Sequence, residues 1–396
     1  MAAWGKKKGI DILSTGDWTH PLWFREIRGQ LEETANGLFK LKTTIQSAKL
    51  EKEQFFLLSV EISSIYSQGG RLRRIHNLIF SPSFETAEKI NKEFLRRNFN
   101  LMADGRPIIG LSARDLLEVV LGIDPKVMLI PCHAWTPWFS LYGSNSGFDS
   151  LEECFGSYAK LIYGIETGLS SDPEMNWRIP ELENRSILSF SDAHSPAKMG
   201  REATVFELAE LNYEALRLAV KGGPEARGIA YTLEFYPEEG KYHYTGHMNC
   251  KVIQTPEETR TKGSQCPVCK RSLTVGVMHR VEQLAARTSD AGSQKSESDK
   301  FGVRWIKDEE GKRPPFVKLV PLLEIIAEAF SSTVSSVKVK DSFFSLVSAF
   351  GSEIDVLLRT NISEIEKAAG AKVAEGIKKV RSGDIVISPG FDGEYG

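Results

Sequence analysis

The sequence predicts an α/β protein: βα units around a parallel sheet or barrel, a small metal-binding module, then a helical C-terminal region. Three observations predict it. Through residue 230 short apolar strand-like runs alternate with helical patterns, as βα units do. From Tyr231 the texture changes to alternating aromatic and polar residues, and cysteines follow. Beyond "KRPP" the apolar spacing is helical. The expected boundaries are 1–230 for the α/β region, 231–286 for the metal module, 287–315 for a linker or loop and 316–396 for the helical domain.

The chain has 396 residues, 41% hydrophobic and 26% charged, enough to bury a substantial core. Its formal charge of -2 announces no nucleic-acid partner globally, though a local basic patch suffices for one. No apolar run approaches the roughly 18 residues of a membrane helix. "GKKKG" is followed by no secretory h-region. The five cysteines are odd in number and three cluster late, which favours metal binding in a reducing compartment over disulfides. A cytoplasmic protein is expected.

Taken in order, the α/β region shows helix starts at Ser112 with Asp115 and at Ser150 with Glu153, the spacing of a capping box. "YTLEFYPEEGKYHYTGHMNCKVI" and "LTVGVMHRVEQLAAR" read as strands followed by a helix. "TSDAGSQKSESDK" is apolar-poor and reads as a loop. "LVPLLEIIAEAF", "DSFFSLVSAFGSEIDVLLR" and "ISEIEKAAGAKVAEGIKKV" read as helices, and "GDIVISPGFDGEYG" as a short strand and a Gly-rich tail.

The strand-like runs share a peculiarity. "GIDILSTGDWTH" ends in Asp17 and His20, "QFFLLSVEIS" reaches Glu61, and "RRIHNLIFSP" contains His76. "VMLIPCHAW" ends in Cys132 and His133, and "SILSFSDAH" in Asp192 and His194. In βα architectures strand C-termini converge on one face, where active sites are built. A lone histidine there is ordinarily structural, but four of the seven histidines fall in this pattern. Mixed imidazole and carboxylate ligands suit zinc, manganese or iron. Asp17, His20, Glu61, His76, His133, Asp192 and His194 exceed what one catalytic ion takes, so at least two ions are expected, with Glu61 or Asp192 bridging. Cys132, next to His133, is expected to face the opposite side and pack in the core.

A second constellation is His247-x2-Cys250 with Cys266-x2-Cys269. Two short-spaced ligand pairs close one tetrahedral structural zinc. His243 is the rival fourth ligand; the x2 spacing favours His247.

"GDWTHPLW", "SVEISSIY", "PCHAWTPWFSLYGSNSGFDS", "ETGLSSDPEMNWR", "SFSDAHSP", the cysteine module and "PGFDGEYG" together resemble the polymerase-and-histidinol-phosphatase (PHP) domain in the version found in endonuclease Q. The resemblance implies a distorted seven-stranded βα barrel with two or three divalent ions (Zn, Mn or Mg). It implies an endonuclease that nicks DNA 5′ to hypoxanthine, uracil, xanthine or an abasic site, with Asp192, Glu61 and His194 as the catalytic group. The family's opening Asp-x-His-x-His strand is not in this sequence, which reads as starting within the first helix. A deaminated base must leave the stack to be read, and Arg74, Tyr142, Asn145, Ser170 and Ser171 are the expected substrate contacts. Damaged DNA, with replication or repair proteins, is the expected partner. Related sequences have been labelled helicase-like, but no GxxxxGK[ST] is present, so no nucleotide cofactor is expected. The alternatives are a PHP phosphoesterase acting on a small ester and a non-catalytic DNA-binding accessory protein.

Overall fold

The computed structural model describes residues 1–42, 53–102, 105–226, 228–285 and 294–396. The chain opens with helix Ala2–Lys8 and strand β1 (Ile12–Ser14), followed by helix Pro21–Gln30 and a hairpin of β2 (Leu31–Glu33) and β3 (Phe39–Leu41). The spine of the first region is a long antiparallel hairpin of β4 (Phe55–Gln68) and β5 (Arg71–Ser81). "FFLLSVEISSIY" favours a strand because aromatic and β-branched side chains pack well on a pleated surface. Gly69 and Gly70 close the hairpin at φ 61 and 72, where only glycine adopts both positive values without strain.

The first sheet runs β2-β3-β4-β5-β7, with β1 and β6 (Ile108–Ile109) also pairing along β4; β7 is Met128–Pro131. Two short strands, β8 (Gly164–Glu166) and β9 (Ser186–Leu188), form a separate parallel pair. β10 (Ala203–Phe206), β11 (Ile229–Glu234), β14 (Gln294–Ser298), β15 (Arg304–Asp308) and β16 (Phe316–Lys318) make a five-stranded sheet in the order β10-β11-β16-β15-β14. β12 (Thr245–His247) and β13 (Val252–Gln254) pair in the cysteine module.

The α/β class is as expected, but the strand pairing differs from a uniform parallel barrel. The pairs β1·β4, β4·β6, β8·β9 and β11·β16 are parallel, the central hairpin is antiparallel, and no closed ring of pairing runs through the described residues. Alternating strand and helix periodicity reads the same whether the strands close or divide into sheets. The stretch 287–315, expected as a linker, supplies the β14–β15 hairpin; residues 286–293 lie outside the described residues. β14 is "QKSES", a polar edge strand, so it lacks the apolar alternation that marks a strand in sequence.

Ser112 and Ser150 cap helices Ala113–Ile123 and Leu151–Phe155, accepting from the N–H groups of Asp115 and Glu153. In the C-terminal region "DSFFSLVSAFGSEIDVLLR" divides at Gly351 (φ 100) into Val337–Phe350 and Glu353–Leu358. "ISEIEKAAGAKVAEGIKKV" divides at Gly370 into Ile362–Ala369 and Ala371–Ser382. With Leu322–Ala329 these helices enclose a core that includes Ile326, Phe343, Leu346, Val356 and Ile377. Arg381 is buried within it and donates to the carbonyls of Leu357, Val356, Thr360 and Phe301 at 2.6–2.9 Å. The N-terminal helix docks on this region. Trp4 stacks on Phe343 at 5.9 Å, and buried Lys8 pairs with Glu353 at 2.5 Å. The strand expected at "GDIVIS" does not form, and Val386 is fully exposed.

Candidate metal centre and active site

The register of β4 and β5 builds the first half of the site. Ser63 faces His76 across the hairpin, and Glu61 lies two residues before Ser63, hence on the same face and diagonal to His76. Glu61 is therefore mid-strand, not at a strand end as the sequence suggests. β7 supplies the other half. The Cys132 N–H donates to the His76 carbonyl at 3.2 Å, and His133 then turns at φ 33. That turn brings its Nε2 to 3.2 Å from Glu61 Oε1 and 3.1 Å from His76 Nδ1. One ligand atom each from Glu61, His76 and His133 lies within 4.8 Å of the others. Cys132 is buried, in keeping with core packing.

Arg106, just before β6, reaches into this group. Its Nη1 donates to Glu61 Oε1 at 2.7 Å and to His76 Nδ1 at 2.8 Å. Nδ1 also lies 2.8 Å from Glu61 Oε1, and the other ring nitrogen, Nε2, meets Ser63 Oγ at 3.1 Å. Burial, opposed by Glu61 but reinforced by the charges on His133 and Arg106, pushes His76 down to about 4. Burial would raise Glu61, yet its hydrogen bonds with His133 and His76 prevail and hold it well below the usual carboxylate range. His133 moves the other way: burial opposes its charge, but Glu61 and the nearby carboxylates raise it. The ligand atoms thus present one carboxylate and an unprotonated His76 nitrogen at neutral pH, a donor set that suits a borderline divalent ion.

Two residues hold His133 from behind. Glu166, on β8, accepts its backbone N–H, and burial pushes that carboxyl up to about 7. Gly168 (φ 60) packs directly on it: a Cβ there would stand 2.6 Å from the His133 Cβ. Gly168→Ala is therefore expected to displace the imidazole, at about 1–3 kcal/mol of strain and roughly 10- to 100-fold in Mn²⁺ affinity, as when other ligand supports are lost. Calorimetric Mn²⁺ titration beside thermal unfolding reads both; unchanged affinity would exclude the packing role.

The remaining candidates lie apart from this trio. Asp17 is buried and its Oδ1 accepts from Thr19 and from the His20 N–H, forming a turn before helix Pro21–Gln30; His20 is that helix's N-cap residue. Asp192 and His194 sit on an exposed loop beyond β9, with Asp192 at φ 42. Arg201 pins this loop, donating to the carbonyls of Ser191 at 2.8 Å and Asp192 at 3.1 Å. The Asp192 charge reaches His133 and raises its pKa.

Among the expected substrate contacts, Tyr142 is a correction. It is fully buried, stacks near Trp135 at 4.7 Å and donates to Glu181 at 2.8 Å. Ser171 is likewise buried, donating to the Thr167 carbonyl at 2.8 Å. Leu141 and Tyr142 join the hydrophobic core, and Ser170 and Ser171 are buried beside it. Ser170 is buried with a free hydroxyl, Asn145 is exposed, and Arg74 lies 5.4 Å from the Phe139 ring. Sequence reasoning missed Arg106, Gly168 and Arg201. Only the parallel pairing of Ser63 with Ile108 brings "GRPII" beside the ligands.

In the cysteine module, ligand atoms of His247, Cys250, Cys266 and Cys269 lie within 4.8 Å of one another, with Cys269 Sγ 3.4 Å from His247 Nδ1. Burial opposes ionisation of Cys266, but the Cys269 N–H, the His247 imidazole and the Val268 N–H bring it down to about 6. A thiol so disposed is a ready thiolate ligand. His243 is buried apart from this group, so His247 completes it.

The family described as the MJ0043 C-terminal domain matches residues 321–384. The uncharacterized protein MJ0043 of Methanocaldococcus jannaschii is 36% identical over 271 residues, covering 67% of this chain; the chain spans 31% of that protein's length. The uncharacterized protein YqxK of Bacillus subtilis is 30% identical over 98% of this chain and 88% of its own. Among solved structures, the lesion-specific endonuclease PfuEndoQ from Pyrococcus furiosus superposes with a TM-score of 0.80 and 30% identity, over 100% of this chain and 88% of that one. Endonuclease Q in complex with a 27-mer duplex carrying an abasic lesion at the active site matches with the same TM-score and identity, over 89% of its chain.

Proposed function

The chain belongs to the endonuclease Q family, and from that premise we propose that it is a metal-dependent DNA repair endonuclease. It nicks the phosphodiester 5′ to a deaminated base (hypoxanthine, uracil or xanthine) or an abasic site. The observation that carries this reading is the meeting of Glu61 and His76, from two strands, with His133, just past a third, in a chain whose full length aligns with 88% of a lesion-specific endonuclease. The site would take two or three divalent ions (Zn, Mn or Mg), with this trio as one ligand set and Asp17, His20, Asp192 and His194, which stand apart from it, as the further proposed ligands. Such ions lower the pKa of bound water and stabilise the charge that develops on a phosphoester.

The chain's own groups divide the work. Glu61 would supply the carboxylate ligand of the trio. Asp192 and His194 face solvent, where a phosphate can approach them, and Arg201 fixes their loop. Arg74 and Asn145 extend the surface toward the DNA. The first 230 residues are read as a PHP barrel, with the module from 231 to 286 holding one structural zinc and the helices from 316 onward bracing it. A cytoplasmic location is part of this proposal, supported by five free cysteines, which suit a reducing compartment. No helix among the described residues is long and apolar enough to cross a membrane.

The test is incubation with labelled duplexes containing hypoxanthine, uracil, an abasic site or normal bases, with Mg²⁺ or Mn²⁺. The expected product is a single nick 5′ to the lesion. Unstacking a paired base costs a few kcal/mol, so the undamaged duplex should react roughly 10²-fold more slowly. Equal nicking of undamaged DNA removes the lesion reading, and hydrolysis of small phosphate esters alone moves the activity to another PHP class. In parallel, Cys266→Ser should empty the module of zinc and lower the melting temperature by roughly 5–10 °C, since a structural site contributes folding energy. Elemental analysis with calorimetry reads this; full zinc content in the variant would dismiss the assignment.

A further inference from the structure

Among the described residues, Arg106 is the Lys or Arg side chain that reaches the ligand atoms of the trio. Its Nη1 lies 2.7 Å from Glu61 Oε1 and 2.8 Å from His76 Nδ1, the atoms that a divalent ion would take. His76 Nδ1 and Glu61 Oε1 themselves lie 2.8 Å apart, so the guanidinium stands where both candidate ligand atoms converge. The carboxylate and the imidazole nitrogen are therefore satisfied by a positive charge that the chain itself brings. The side chain remains over a third exposed, so the guanidinium has a path outward.

We propose that Arg106 is a resident cation of the metal centre: it neutralises Glu61 and His76 until a divalent ion displaces it, and the displaced guanidinium then takes a phosphate oxygen of the DNA. The inference rests on the metal-dependent reading above and adds to it a coupling between ion binding and phosphate binding. The physics is competition. An ion entering must break two charge-assisted hydrogen bonds, which lowers its apparent affinity. The released Arg106 no longer has a carboxylate partner and presents a planar fork that matches a phosphate bidentately.

Mn²⁺ is the useful probe, because the thiolate module prefers softer zinc. Isothermal titration of the zinc-loaded full chain with Mn²⁺, without DNA, should show Arg106→Gln binding about tenfold more tightly than the wild type. Arg106→Lys keeps a charge and should remain near the wild-type affinity. A merely structural arginine gives the opposite, with Arg106→Gln binding Mn²⁺ equally or more weakly, and that result overturns the proposal. The second readout is affinity for an undamaged duplex with Ca²⁺, which supports binding with slow chemistry, and without any divalent ion. Arg106→Gln should weaken binding several-fold with Ca²⁺ and leave it unchanged without. Equal weakening in both conditions overturns the coupling. Because the Mn²⁺ titration needs neither DNA nor turnover, it decides the role of Arg106 even if the wild type cuts no duplex, an outcome that would instead strike the nuclease reading.

Discussion

Glu61→Gln is expected to abolish nicking, lowering the single-turnover rate on the order of 10³-fold or more, with the fold retained. One oxygen of this carboxylate, Oε1, receives Arg106 at 2.7 Å and His133 at 3.2 Å and lies 2.8 Å from His76. An amide keeps the shape and loses the charge that holds all three. The ligand nitrogens then face one another and a guanidinium with nothing negative between them, so the ion is bound weakly or in the wrong place. A correctly placed ion is worth several kcal/mol of transition-state stabilisation, and each 1.36 kcal/mol is about one decade in rate. Circular dichroism should be unaltered, while Mn²⁺ titration should show lost affinity. Nicking within tenfold of the wild type would falsify the central role given to this residue.

The largest expected effect on stability is at Arg381. Arg381→Met should cost about 3–5 kcal/mol, read as a fall in the denaturant midpoint with unchanged slope. The guanidinium is buried, and burial, only partly offset by Asp299, pushes its pKa down to about 10. It still satisfies four carbonyls: Val356, Leu357 and Thr360 around the end of helix Glu353–Leu358, and Phe301 from the adjoining loop. The last carbonyls of a helix have no partners of their own, and methionine fills the volume while leaving them stranded in an apolar core. Arg381→Lys should recover only a fraction, because one ammonium cannot span the four positions. A loss below about 1 kcal/mol in the methionine variant would mean that water or backbone shifts replace these bonds.

How much of this was legible in the sequence depended on the range of the signal. Caps at Ser112 and Ser150 and the His247/Cys266 module are local, and their residues state them directly, whereas the breaks at Gly351 and Gly370 fall inside stretches whose apolar spacing reads as continuous helix. The trio of Glu61, His76 and His133 was visible as chemistry on strand-like runs, since few other reasons place such side chains on apolar segments. Its neighbours were not. Arg106 reaches the site only through the pairing of β6 with β4, and Gly168 matters only because the backbone of His133 presses on it. Tyr142 and Ser171 misled because polar loop residues next to a motif look like contacts, whereas here the loops fold inward. Asp192 and His194 remain outside the trio, on a loop whose conformation Arg201 sets by long-range bonds.

The sheet that joins β10, β11, β16, β15 and β14 also governs how the protein is made. β11 pairs in parallel with β16, from Thr232 with Phe316 to Glu234 with Lys318, so its edge stays open on the ribosome until the whole cysteine module and the β14–β15 hairpin have emerged. At about 5–20 residues per second that wait lasts several seconds. During it, an unpaired strand and the apolar face of the N-terminal helix, which needs Phe343, are both uncovered. Translation pauses in this stretch, or chaperone depletion, should therefore reduce the yield of native protein far more than they slow the refolding of a finished chain.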